Sequence, residues 1–107
     1  MEEKKAYQKA GEIVEELGGD LYKERNRGYA SEHEAWAEIK ESIERLGDTK
    51  KKLESLETAL WTAAKEGNDN AFLANLGELK RTARNGAWDL LVLAGKATLA
   101  EEHMGGR

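Results

Sequence analysis

Glu34, Glu38 and Glu41 are the residues of this chain whose type and spacing best suit chemistry. At 100° per residue, the spacings i, i+4 and i+7 stack them along one side of a helix, with Trp36, Ile39, Ile43 and Leu46 on the other. Carboxylates this close repel one another, and a divalent cation relieves the repulsion. Mg²⁺ suits such a stripe, because it takes hard oxygen ligands and keeps waters that a phosphate group replaces. The same stripe has plainer uses. Glutamates facing away from a core commonly form a solvated face. Arg45, one turn beyond Glu41, completes an i, i+4 ion pair. Ser31 with Glu34 has the form of a capping box, which gives Glu34 a purely structural role.

Composition narrows the setting for these residues. A chain of 107 residues predicts one domain, and 39% hydrophobic against 36% charged residues is enough apolar content to fold. Proline is absent, and Ala, Leu, Glu and Lys dominate, as in helical proteins. The net charge of −4 argues against a nucleic-acid-binding domain. There is no cysteine, and His33 and His103 stand far apart, so thiolate and zinc-type sites are not expected. No apolar run approaches the ~18 residues of a membrane span. Met1-Glu-Glu-Lys-Lys5 leads into an amphipathic pattern and not a signal sequence, so a cytoplasmic protein is expected.

The elements that must position the stripe follow from periodicity. A first helix is predicted over residues 2–17, stopped by Gly18-Gly19, with a turn at Asn26-Arg27-Gly28. A second starts after Ser31. Ile39, Leu46, Leu53 and Leu60 keep a seven-residue spacing across Gly47, with Trp36 and Ile43 as complementary positions, so this helix is expected to continue, straight or kinked, to about Lys65. Lys50 and Glu57 interrupt its seam, and Lys50-Lys51-Lys52 reads as a solvated bend. Gly67-Asn68-Asp69-Asn70 is the clearest turn signal.

The last helix is predicted over residues 71–101. Leu76, Leu79, Ala83, Ala87, Leu90, Ala94 and Ala97 form its expected core face, and Trp88, Val92 and Leu99 a second apolar face. A helix apolar nearly all round is buried nearly all round. Trp88, Val92 and Leu99 are therefore the predicted interface of a homo-oligomer. The expectation is an all-α, self-associating antiparallel bundle built on two long helices. It forms one domain: an N-terminal helix and connection over 1–30, a helical core over 31–101 and a flexible tail over 102–107.

The segment Tyr29-Ala-Ser-Glu-His-Glu-Ala-Trp-Ala-Glu-Ile-Lys-Glu41 resembles small helical proteins of prophages that are similar to the MazG-type nucleoside triphosphate pyrophosphohydrolases. The resemblance extends through Leu56-Glu-Thr-Ala-Leu-Trp61 and Leu79 to Ala94, covering about residues 29–100. It implies a Mg²⁺ site made by a Glu-Glu-x-x-Glu element and a Glu-x-x-Asp element on two helices. There the metal binds a nucleoside triphosphate and water attack releases pyrophosphate. Carried onto this chain, the resemblance keeps Glu41 and Asp89, or in a register shifted by one Glu41 and Glu44 in the first element. The stripe's own geometry adds Glu34 and Glu38 to compensate. The candidate metal ligands are therefore Glu34, Glu38, Glu41 and Asp89, with Glu38 and Glu41 the candidate catalytic carboxylates. The chain departs from the pattern: Ser42, Arg45 and Gly86 stand at positions where the family has carboxylates. Arg81 and Arg84 are candidates to hold the phosphates, as arginine does bidentately, or are surface charges. His33 reads as a surface or interface residue at a helix start, and Trp36, Trp61 and Trp88 as packing residues.

Three functions fit these residues. One is a Mg²⁺-dependent nucleotide-binding protein that hydrolyses nucleoside triphosphates. Another is an inactive phage-type accessory or inhibitor acting through nucleotide or protein binding. The third is a purely structural helical oligomer.

Overall fold

The computed structural model describes residues 5–21 and 29–105, with side chains up to Glu102. The expected turn at residues 26–28 lies outside these. The chain is all-α: helices α1 (Ala6–Leu21), α2 (Glu32–Glu66) and α3 (Asp69–Gly105), with no strand among the described residues. Ser31 is the N-cap of α2, its Oγ accepting the Glu34 amide at 3.2 Å, while the Glu34 carboxylate reaches back to the Ala30 amide at 2.9 Å. The reciprocal cap satisfies two amides that the first turn leaves open.

α2 then runs unbroken through Gly47. A mid-helix glycine costs about 1 kcal/mol relative to alanine, which the packing of both halves of α2 on the same partner offsets. The helix stops at Gly67, whose φ of 68° is easily adopted only without a Cβ. Asn68 serves both helices. Its amide closes α2 on the Ala63 carbonyl at 2.9 Å, and its Oδ1 caps α3 through the Ala71 amide at 3.1 Å. A two-residue connection leaves α3 nowhere to go but back along α2.

α1 differs from expectation. It continues through Gly18-Gly19 to Leu21, with Leu17 buried and Leu21 half-buried, so packing overrides the glycine stop signal. α1 packs against α3 and not α2. The forked pair of Arg84 with Glu16, at 2.7 and 2.9 Å, ties it there. α3 continues past its predicted end at residue 101 to Gly105; residues 106–107 of the expected tail lie outside the described residues.

The α2–α3 seam does not use the residues that hydrophobicity selects. On α2 it comprises Ala35, Ser42, Thr49, Leu56 and Ala63, seven apart, with Ile39, Leu46, Leu53 and Leu60 beside them. On α3 it follows Phe72, Asn75, Leu79, Thr82, Gly86, Asp89, Leu93, Lys96 and Ala100, a strict alternation of three and four that is half-buried or buried throughout. Of the expected α3 core face only Leu79 belongs to this line; Leu90 is 56% exposed. Trp36 and Ile43, expected to complement the α2 seam, are 57% and 55% exposed. Close approach explains the inversion. A Cβ on Gly86 would meet Thr49 Cγ2 at 3.0 Å, so the backbones come together where side chains are small. Larger apolar groups are displaced to the flanks.

The result is one layer of helices. The molecule measures 59 × 34 × 19 Å, and its radius of gyration is 17.9 Å. A compact domain of this length has a radius of about 13 Å. Among the described residues, no side chain is less than 2% exposed.

Candidate functional site

The seam sets the level of every side chain along the hairpin. Lys96 Nζ donates to Ser42 Oγ at 2.9 Å and to the Glu38 carbonyl at 3.4 Å, and Gly86 lies against Thr49. Asp89 falls between these two levels, half-buried near Leu46.

The acidic stripe occupies this end of α2, and its members already have other work. Glu34 caps the helix. Glu38 accepts a hydrogen bond from the Tyr29 phenol; burial, and then this carboxylate, push the Tyr29 pKa up to about 12. Glu41 lies 3.6 Å from Arg45, both largely exposed. The structure does not bring Glu34, Glu38, Glu41 and Asp89 together. Among the described residues, no three acidic or histidine side chains are placed to hold a metal ion. The Lys96 ammonium sits at the Glu38 level and supplies positive charge of its own. The residues present therefore do not fit a resident Mg²⁺.

The candidate phosphate-binding arginines are likewise engaged. Arg81 pairs with Glu78 one turn earlier, and Lys52 adds a contact to the same carboxylate at 3.8 Å. Arg84 pairs with Glu16, whose carboxyl it holds below the usual range. His33 is exposed, with its ring 6.1 Å from that of Trp36.

A different surface emerges from the seam itself. Each helical residue lies about 100° on from its predecessor. In two facing antiparallel helices, that rotation carries the successor of every seam residue to the same broad side of the pair, and its predecessor to the other. The Lys52–Glu78 ion pair bridges the helices on the predecessor side, since these residues precede Leu53 and Leu79. On the successor side stand Trp36, Ile43 and Trp61 from α2 and Leu73, Leu76 and Leu90 from α3, between 38% and 65% exposed. Two lysines brace the indoles from one turn on: Lys40 Nζ lies 5.2 Å from the Trp36 ring centroid and Lys65 Nζ 4.8 Å from that of Trp61. Ala83, Ala94 and Ala97 extend the stripe along α3.

Trp88, Val92 and Leu99, the predicted interface, precede Asp89, Leu93 and Ala100. They lie on the predecessor side and are half-buried within the chain. The larger uncovered apolar surface is the opposite one. It was hidden in the sequence because its members are split between two helices and its α3 half reads as core.

Comparison with protein-family models, with curated proteins and with solved structures yields no match. No helix among the described residues is long and apolar enough to cross a membrane.

Proposed function

We propose that this chain is a self-associating helical interaction module whose working surface is the successor side of the α2–α3 hairpin. The observation that carries this is an apolar stripe on a single layer of helices. Soluble domains bury apolar faces between two layers, and contiguous exposed patches of this kind mark interaction sites. Five of the six large side chains on this side are more than half exposed, and none belongs to the seam. Sedimentation equilibrium tests the proposal: a mass above that of one chain is expected at micromolar concentration. A monomer at millimolar concentration overturns it.

A second reading, Mg²⁺-dependent hydrolysis of nucleoside triphosphates to monophosphate and pyrophosphate in the cytoplasm, is supported by one feature. Glu34 and Glu38 are both half-buried beside Tyr29, which keeps two carboxylates close. Pyrophosphate release from a panel of nucleoside triphosphates, required to depend on Mg²⁺ and to vanish in Glu38→Gln, would put this reading first. Absence of release leaves the interaction module.

A further inference from the structure

We infer that the occupant of the successor side is a second copy of this chain, laid face to face about a two-fold axis that crosses the middle of the hairpin. In this arrangement α2 lies antiparallel on α2 of the partner, and α3 on α3. The inference rests on the self-association proposed above and specifies its geometry.

Lys50 and Glu57 decide it. They follow Thr49 and Leu56, so they project from the successor side, between Ile43 and Trp61. Both are exposed, and neither appears in any ion pair among the described residues. Their signs are opposite and they stand seven residues apart, about 10.5 Å along the helix. A two-fold midway between them, at Leu53–Glu54, sets each against the other in the partner, twice per dimer. Such reciprocity is what an isologous contact requires. A parallel stacking would set lysine on lysine and glutamate on glutamate.

The same axis sets apolar groups against one another over the rest of the face. Glu54, which follows Leu53, comes beside its own copy at the axis, with Lys80 at about the same level on α3 to offset it. On α2 the axis carries Trp61 to the level of Leu46 of the partner, beside Gly47, where a Cβ would find open space. On α3, the level opposite Leu53–Glu54 is Arg81–Thr82, from the Thr49–Gly86 contact. Leu73 then faces Leu90 of the partner, Leu76 faces Ala87, and Ala83 stands close to the axis and to its own copy. The other possible two-fold, parallel to the helices, sets Glu57 near Lys80 but places Lys50 among Ala83 and Ala87, with no counterpart. Surface is ample: the chain exposes 8518 Å², against about 5,900 Å² for a folded monomer of its mass. A standard interface takes only about 800 Å² from each partner.

Charge reversal in the full chain tests the arrangement. Sedimentation equilibrium is expected to show Lys50→Glu and Glu57→Lys each weakening the dimer by about tenfold or more, and the double reversal restoring it. Circular dichroism checks that helix content is unchanged. A wild-type monomer overturns self-association itself. A dimer indifferent to the single reversals, or not rescued by the double, overturns only this arrangement. Because the chain has no cysteine, crosslinking gives a second readout. Ala83→Cys, near the axis, is expected to form an intermolecular disulfide under mild oxidation; Ala97→Cys, on the same face but far from the axis, is not. The reverse order of reactivity also overturns the arrangement.

Discussion

The two broad sides of the α2–α3 hairpin are built from neighbouring residues of the same helices, yet they are finished differently. On the predecessor side, several polar groups have partners within the chain: Glu34 in the cap, Glu38 with Tyr29, Lys52 with Glu78. Its large apolar residues Trp88, Val92 and Leu99 are half-buried. On the successor side, Trp36, Ile43, Trp61, Leu73 and Leu90 stand more than half exposed, and Lys50 and Glu57 have no ion-pair partner among the described residues. The second side has both ingredients of an interface, apolar area and unmatched charge.

Placing one charge on each side gives the largest expected difference. Val92→Glu puts a carboxylate on the half-buried side and is expected to destabilise the fold by about 2–3 kcal/mol, seen in urea unfolding. Leu90→Glu, two residues away, is expected to abolish self-association while leaving the unfolding of the isolated chain within about 0.5 kcal/mol. If the two effects were exchanged, the sides would have been assigned the wrong way round.

The seam between the sides predicts effects of opposite sign. Gly86→Leu forces a branched side chain where even a Cβ would already meet Thr49 at 3.0 Å, and a loss of about 1–3 kcal/mol is expected. Thr82→Val should raise stability by about 1 kcal/mol, because Thr82 Oγ1 is buried with no hydrogen-bond partner and valine keeps the shape. Ser42, whose hydroxyl accepts from Lys96, should not tolerate the corresponding replacement. Denaturant midpoints of the variants check all of this.

These particulars show which parts of the fold the sequence makes legible. Ser31 and Gly67-Asn68 are readable because capping chemistry is local: a side-chain acceptor three residues from an amide, a glycine where φ must be positive. Continuity through Gly47 is readable because the spacing of Ile39, Leu46, Leu53 and Leu60 survives it. Gly18-Gly19 misleads because two glycines cost less than the packing gained around Leu17. The seam misleads most. Counting apolar residues on α3 selects Leu76, Ala83, Leu90 and Ala97. The observed packing instead selects the small and polar line through Thr82, Gly86 and Lys96, which sits one residue earlier. An offset of one residue turns a helix face by 100°, enough to exchange a core for an open surface. At the acidic stripe, spacing showed which residues share a side but not that Glu34, Glu38 and Glu41 each have a neighbour to satisfy.

Alkaline pH offers a gentler probe of the predecessor side. Tyr29 is raised to about 12 in the folded chain, from about 10 when unfolded. A group whose folded pKa is raised lends stability that is fully present below its unfolded value and is lost as pH rises toward the folded one. The wild type should therefore lose melting temperature between pH 10 and 12 more steeply than Tyr29→Phe. Lysine titration in the same range is common to both proteins and cancels in the comparison. Parallel curves would mean that burial and the Glu38 contact do not raise Tyr29 in the folded chain.

The smallest effect is expected where the sequence first suggested chemistry. Glu41 is exposed, and its partner Arg45 is an i, i+4 neighbour at 3.6 Å. Pairs of this kind contribute about 0.3–0.5 kcal/mol. Glu41→Gln should therefore shift stability by no more than that, downward, since it breaks an ion pair. Relief of a crowded carboxylate site would shift it upward instead. Mg²⁺ at millimolar concentration should leave the melting temperature of both proteins unchanged, whereas a cation at ~100 times its dissociation constant would stabilise by about 2.7 kcal/mol. The two signs make the experiment decisive: a Mg²⁺-dependent rise in the wild type that Glu41→Gln removes would make the acidic stripe, and not the apolar side, the working surface of this protein.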